Sequence, residues 1–220
     1  MIPLRDSTPS KHFPLITVLL IVINLYVFYH ETQLGPGIED LFYTFGLIPI
    51  HYSDYQMPWA GYYPFITSMF LHGNWMHVIG NMWILWLFGD NVEDHMGRGR
   101  FLVFYLLCGI AAGFTHVLVN AASTVPVVGA SGAVAGVMGA YFVMFRNAKV
   151  LTFVPPLFLL NLPAWIYLGF WVLSQLWCGA TGLIGADGCG QIAFWAHIGG
   201  FLTGMLIHRF FLRPKSEYTC

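Results

Sequence analysis

Long runs of apolar residues, separated by short polar segments, recur along the whole chain of 220 residues. A helix needs about 20 predominantly apolar residues to cross a lipid bilayer, and most of these runs are close to that length. The pattern predicts an all-α, polytopic membrane protein in which residues 1–220 form one bundle. Six transmembrane helices are predicted, approximately at residues 13–30, 64–88, 101–119, 130–146, 157–177 and 192–211.

Composition and charge agree with this picture. Hydrophobic residues make up 57% of the chain and charged residues only 9%, against about 25% charged residues in soluble domains. Between the predicted helices, all nine Lys and Arg residues fall on one side, together with both termini. The positive-inside rule therefore predicts cytoplasmic termini. The net charge of −1 gives no reason to expect a nucleic-acid partner.

Two glycine-flanked segments interrupt the apolar pattern with a serine and a histidine. Ser131, Ala135 and Gly139 form a stripe of small residues on the fourth predicted helix, and His197, Gly200 and Gly204 form one on the sixth. Such stripes let membrane helices approach closely. Facing stripes would bring Ser131 within hydrogen-bond distance of His197.

A serine beside a histidine inside a membrane predicts nucleophilic catalysis, because a serine hydroxyl is a weak nucleophile that needs a neighbouring base. The predicted helices contain no Asp or Glu suited to orient His197, so we expect a dyad. The backbone N–H of Ser131 at a helix start, together with His77 and Asn81 on one face of the second helix, can bind a developing oxyanion. Gly132 is expected to leave room for a substrate backbone, and neither a metal nor a cofactor is needed.

The sequence also predicts structural features in two of the outer loops. Residues 31–63 predict a partly buried interfacial hairpin. The last outer loop contains Cys178 and Cys189, which either form a disulfide or remain free thiols. The glycines between these cysteines predict a mobile cap over the dyad.

Four segments together resemble the rhomboid intramembrane serine proteases, over about residues 60–206. The matching segments are Leu71-His72-Gly73-Asn74-Trp75-Met76-His77 with Asn81, Phe88-Gly89-Asp90-Asn91-Val92-Glu93-Asp94 followed by Gly97, Gly129-Ala130-Ser131-Gly132-Ala133, and Ala196-His197-Ile198-Gly199-Gly200 with Gly204.

This resemblance implies a six-helix rhomboid bundle with Ser131 as nucleophile and His197 as general base. It also implies an oxyanion hole formed by His77, Asn81 and the Ser131 N–H, with His72 in a supporting position. The implied substrates are single-span membrane proteins, cut near the outer membrane surface. The absence of a further domain resembles the minimal prokaryotic form and implies a prokaryotic cell (inner) membrane.

The chain departs from the family pattern beside the serine. Some members carry an aromatic residue four positions after the serine, where it stacks on the base, but this chain has Ala135 there. Phe194 or Trp195 is expected to hold His197 instead.

Two other classes of function stay open. A non-catalytic rhomboid-like chaperone or dislocation factor would share the fold, although such relatives typically lack the serine or the histidine. A small-solute channel or transporter can also use buried His and Asn residues, but it does not need Gly-Ala-Ser-Gly at a helix start. The sequence does not determine the oligomeric state.

Overall fold

A computed structural model describes residues 1–53, 61–156, 158–183 and 193–214. The described elements are β1 (Ile2–Asp6), α1 (Leu15–Gln33), α2 (Ile38–Phe45), α3 (Ile50–Ser53), α4 (Pro64–Thr67), α5 (Trp75–Met96), α6 (Arg98–Val119), α7 (Ser131–Met144), β2 (Lys149–Val154), β3 (Phe158–Pro163), α8 (Ala164–Leu183) and α9 (Phe194–Ile207). The protein is therefore predominantly helical, and each of its six long helices overlaps one predicted transmembrane segment.

Whether each helix can cross a membrane depends on its length and its apolar composition. By length and composition, two of the described helices, α1 and α6, are long and apolar enough to cross a membrane. Helices α7 and α9 have 14 residues each, or about 21 Å at the α-helical rise, whereas a hydrocarbon core is about 30 Å thick. A bundle of six transmembrane helices remains a prediction.

The second predicted helix starts later than expected. Residues 64–74 are not its first turns but contain the short helix α4, a 3₁₀ turn and an extended segment. The start of α5 is set by Asn74, whose extended backbone precedes the helix and whose side chain accepts the N–H of His77. An asparagine at this position satisfies a helix-terminal donor that the helix itself leaves unpaired.

The all-α prediction is wrong in one respect, because β1, β2 and β3 form an antiparallel sheet in that order. Residues 157–163 were expected to begin the fifth helix, but the segment from Phe158 to Pro163 pairs with β2 instead. Pro155 and Pro156 precede it, and proline interrupts helices. The fifth helix begins only at Ala164.

Helix α7 lies at the centre of the bundle, where it contacts α5, α6 and α9. Every residue from 132 to 141 is buried. Around α7 the core contains large side chains of α5 and α6, among them Phe88, Phe101, Phe104 and Tyr105, which are all inaccessible to solvent. The central position of α7 fixes its first residue relative to three neighbouring helices.

At the end of the bundle opposite Ser131, carboxylates of α5 and β1 hydrogen-bond to neighbouring helices. Glu93 is buried and accepts hydrogen bonds from the backbone N–H groups of Ile16 and Thr17 and from the Thr17 hydroxyl. Because Pro14 provides no side-chain cap for α1, Glu93 satisfies two of the N–H groups that the first turn of that helix leaves unpaired. Tyr141 donates to Asp6 of β1, which joins the sheet to α7.

The segment 31–63, expected to form a hairpin, contains short helices joined by non-helical residues where it is described. Helices α2 and α3 flank Leu47 and Ile48, whose side chains are buried. Leu47 exchanges backbone hydrogen bonds with Val127, so the segment is attached to the chain that leads into α7. Residues 54–60 lie outside the described part of the chain.

Candidate active site

The segment that leads into α7 places Ser131 at the first position of that helix. Gly129 has a φ of 128°, a conformation that residues with a side chain rarely adopt. Its N–H donates to the carbonyl of Ser68 at 2.8 Å. A Cβ at Gly129 would lie 2.6 Å from Nε2 of His77. Glycine is therefore required here both by the backbone turn and by the neighbouring ring.

Glycines let α7 and α9 approach until their backbones touch. A Cβ at Gly200 would collide with the carbonyl oxygen of Gly132, and a Cβ at Gly204 with that of Gly136. Gly200 and Gly204 of the stripe predicted on α9 thus lie at this contact, and their partners on α7 are Gly132 and Gly136, which lie beside the predicted stripe of Ser131, Ala135 and Gly139. This contact brings the first turn of α7 beside the first turn of α9.

Gly132 has a different environment from the one expected. A Cβ at this position would lie 2.6 Å from the Cβ of Ala112 on α6. The space beside Gly132 is thus filled by a neighbouring helix and is not open to a substrate backbone. Its small size serves the packing of α6, α7 and α9.

Ser131 and His197 meet at this contact. The Ser131 Oγ lies 2.8 Å from Nε2 of His197, which is within hydrogen-bond range. His197 is only 9% exposed, and Ser131 is half-buried. A neutral imidazole in this position can accept the hydroxyl proton of the serine.

Helix α8 supplies contacts to His197 that the sequence analysis missed. Nδ1 of His197 lies 2.7 Å from Oε1 of Gln175. The Trp171 ring lies 5.9 Å from the His197 ring at an angle of 32°, and the Phe194 ring lies at 6.5 Å, nearly perpendicular to it. Phe194 thus contacts the base as expected. Trp195 contacts Gly179 on α8, and Trp171 occupies the second aromatic position beside the base.

Gln175 is a polar residue within the fifth predicted transmembrane segment, and its polarity was the sequence feature that could have marked it as a partner of His197. An amide oxygen accepts a hydrogen bond from imidazole just as a carboxylate does, so a partner for His197 did not have to be an Asp or a Glu.

The predicted oxyanion-hole side chains lie beside the segment that precedes Ser131. A Cβ at Gly129 would be 2.6 Å from the His77 ring and 3.7 Å from Nδ2 of Asn81. Nδ2 of Asn81 lies 3.0 Å from Nε2 of His72. Since an amide nitrogen carries two hydrogens, one donor of Asn81 is left for another acceptor.

His72 is fully buried and is held in place through its backbone. Its N–H lies 3.2 Å from both carboxylate oxygens of Glu31, which is itself only 1% exposed. Its ring in turn contacts the side-chain amide of Asn81. The structure therefore places the His72 ring against the side-chain amide of Asn81, beside which Gly129 leads into α7.

The predicted cap over the dyad falls partly on helix. Cys178 belongs to α8, which continues to Leu183, and Cys178 is disulfide-bonded. Cys189, which the sequence left either bridged to Cys178 or free, and most of the cap lie outside the described residues. In the part of the chain that the structure describes, no group of three or more His, Cys, Asp or Glu residues is arranged to hold a metal ion.

Close packing at Gly204 has a measurable consequence. Gly204→Ala is expected to lower the free energy of unfolding by about 1–3 kcal/mol, because overpacking forces backbone shifts. Gly169 on α8 is a matched control, since a Cβ there would meet nothing within 4 Å. Gly169→Ala should be neutral or stabilising by up to about 1 kcal/mol. Thermal unfolding in detergent measures both, and equal losses in the two variants would contradict the helix contact.

Comparison with known proteins assigns the chain to a family. The family model of the rhomboid domain matches residues 60–214. The chain is 32% identical to Rhomboid protein 1, mitochondrial, of Saccharomyces cerevisiae, over 64% of this chain and 39% of the yeast protein. It is 34% identical to Rhomboid-like protein 11, chloroplastic, of Arabidopsis thaliana, over 54% of this chain and 38% of that protein. Identity to the human presenilin-associated rhomboid-like protein, mitochondrial, is 28%, over 64% of this chain and 36% of that protein.

The chain spans about two fifths of the length of these curated relatives. The family model, however, matches well over half of the chain, including every segment that forms the candidate site. This chain is therefore a member of the rhomboid family of membrane proteins.

Proposed function

We propose that this protein is an intramembrane serine endopeptidase that hydrolyses peptide bonds of single-span membrane proteins near the outer membrane surface. The observation that carries the proposal is the 2.8 Å contact between the Ser131 Oγ and Nε2 of His197. Both residues lie in the first turn of an apolar helix. A packing role alone would not require a hydroxyl directed at an imidazole nitrogen.

In the first step, the Ser131 Oγ attacks the carbonyl carbon of the scissile bond and forms a C–O bond. His197 accepts the hydroxyl proton at Nε2 and then delivers it to the leaving amine as the C–N bond breaks. In the second step, water attacks the acyl-enzyme ester, and His197 accepts the proton of that water. Return of the proton to Ser131 Oγ regenerates the hydroxyl and releases the new carboxyl end.

The negative charge on the tetrahedral oxygen needs donors that are already in place. The first N–H groups of a helix have no partner within that helix, so the Ser131 N–H at the start of α7 is suited to this role. The free amide hydrogen of Asn81 and the ring of His77 lie beside Gly129. We assign these three groups to the oxyanion hole.

The proposed orientation in the membrane follows from charge. All nine Lys and Arg residues lie before α1, in the first turn of α6, after α7 or after α9, which favours a cytoplasmic location for these parts of the chain. Ser131 would then lie below the outer surface. The prokaryotic cell membrane remains a prediction, and the matched relatives are named as mitochondrial or chloroplastic proteins.

Reconstitution into liposomes with a panel of tagged single-span membrane proteins tests the proposed function. We expect at least one panel member to be cut in or next to its transmembrane segment by the wild-type chain, with EDTA having no effect. Binding without any cleavage across the panel would favour a rhomboid-like chaperone or dislocation factor. Flux of small solutes without cleavage would favour a channel or transporter.

A further inference from the structure

A line of hydrogen bonds continues from the candidate dyad into α8. Beyond the Ser131–His197 contact, Nδ1 of His197 lies 2.7 Å from Oε1 of Gln175. Nε2 of Gln175 lies 3.1 Å from the hydroxyl oxygen of Ser174. That hydroxyl lies 2.6 Å from the backbone carbonyl oxygen of Trp171. The line therefore ends on a group that can only accept a hydrogen bond.

The terminal carbonyl determines the direction of every bond in the line. Because a carbonyl oxygen has no hydrogen, the Ser174 hydroxyl must donate to Trp171. The Ser174 oxygen is then free to accept, and it accepts from the amide NH₂ of Gln175. The carbonyl oxygen of Gln175 is thereby turned towards His197, where it requires a hydrogen on Nδ1.

We propose that Gln175 is a positioning residue that holds His197 in the tautomer with hydrogen on Nδ1 and a free lone pair on Nε2. Ser174 acts with it by orienting the amide. In this tautomer Nε2 accepts the hydroxyl hydrogen of Ser131. The proposal rests on the proposed function for its catalytic consequence, but the tautomer itself is a property of the resting protein.

Burial explains why the base needs such a residue. His197 is 9% exposed, so water has little access to its ring. Across the described ranges, no carboxylate is hydrogen-bonded to either ring nitrogen. Without Gln175, Nδ1 would lose the acceptor that lies 2.7 Å away, and a neutral imidazole can place its hydrogen on either nitrogen. The tautomer with hydrogen on Nε2 cannot accept the proton of Ser131.

Spectroscopy of the whole chain tests the tautomer without any assay of activity. The chain is labelled with ¹⁵N-histidine in nanodiscs, and His197 is assigned by its loss in His197→Ala. At a pH where the ring is neutral, the wild-type spectrum should show hydrogen on Nδ1. Gln175→Met removes both polar atoms and should produce a mixture of tautomers. Gln175→Glu keeps an acceptor oxygen, and its spectrum should show the hydrogen on Nδ1 as in the wild type.

Ser174→Ala is the second variant and changes only the group that orients the amide. It should lower the fraction of His197 with hydrogen on Nδ1, and it keeps the proposal testable if Gln175→Met does not fold. An Nδ1-protonated fraction equal to that of the wild type, in folded Gln175→Met or in Ser174→Ala, would overturn the proposal.

Turnover of a cleaved substrate separates this proposal from the proposed function. In Gln175→Met kcat should fall at least about tenfold with little change in KM, and Gln175→Glu should restore it. A wrong tautomer costs about 10⁴-fold in a Ser-His-Asp triad, which sets the upper range. A wild-type chain without peptidase activity would overturn the proposed function, while the spectrum of His197 still decides the role of Gln175. An active wild type with unchanged kcat in Gln175→Met would overturn the positioning role alone.

Discussion

Replacing Ser131 or His197 by alanine is expected to abolish peptide-bond cleavage while the protein remains folded. In an unrelated serine protease, removal of either the serine or the histidine costs about 10⁶-fold in kcat, and a loss of this size would place either variant below detection. The physical reason is that the first step needs both residues: the hydroxyl needs the acceptor nitrogen 2.8 Å away, and without the hydroxyl no acyl-enzyme ester forms. Initial rates in liposomes measure the effect.

Two control variants give this prediction its specificity. Ser53→Ala removes a serine hydroxyl of α3 that is bonded to the carbonyls of Ile50 and Ala121, and it should keep full activity. His77→Ala should reduce turnover but not abolish it, since His77 is assigned as a donor. An inactive His77→Ala together with an active His197→Ala would reverse the assignment of the base.

Asn81→Ala is expected to lower kcat by about 10²–10³-fold, the usual cost of one oxyanion donor. The effect should be mostly on kcat, because the negative charge that Asn81 binds exists only in the transition state. A loss in kcat of this size is expected because the amide of Asn81 is buried and is held in place by its contact with Nε2 of His72. Steady-state kinetics with one substrate separate kcat from KM.

Asn24→Ala is the matched control for this loss. Asn24 is also a buried asparagine, but it lies on α1, and its amide donates to the carbonyl of Leu20. Its replacement should reduce stability and leave kcat unchanged. Equal kcat values for Asn81→Ala and the wild type would remove Asn81 from the oxyanion hole, and a raised KM alone would assign it to substrate binding.

The approach of α7 and α9 could be predicted from sequence because it depends on residue size at fixed helical spacing. Gly200 and Gly204 are four residues apart and therefore share one face of α9, and a glycine stripe packs closely wherever it meets another helix. The same local rule led to the expectation that Ser131 comes within hydrogen-bond distance of His197. It did not reveal that Gly132 faces Ala112, because the rotation of α7 relative to α6 depends on the whole bundle.

The sheet could not be predicted because its pairing is non-local. Ile2 of β1 pairs with Phe153 of β2, which is far away in the chain. In β3, residues 158–160 are all apolar, so the alternation that marks an exposed strand is missing, and a continuous apolar run reads equally well as part of a helix. For Gln175, the sequence shows a polar residue in an apolar run, but the face on which it lies is decided by how α8 packs against α9.

Labelling with a fluorophosphonate probe tests the central claim most directly, because the probe reacts only with an activated serine and requires no known substrate. Mass mapping of the wild-type chain in membranes should find the adduct on Ser131, and Ser131→Ala and His197→Ala should each lose it. An adduct that persists on another serine in Ser131→Ala, or a wild-type chain that cleaves membrane proteins without ever labelling at Ser131, would contradict the account.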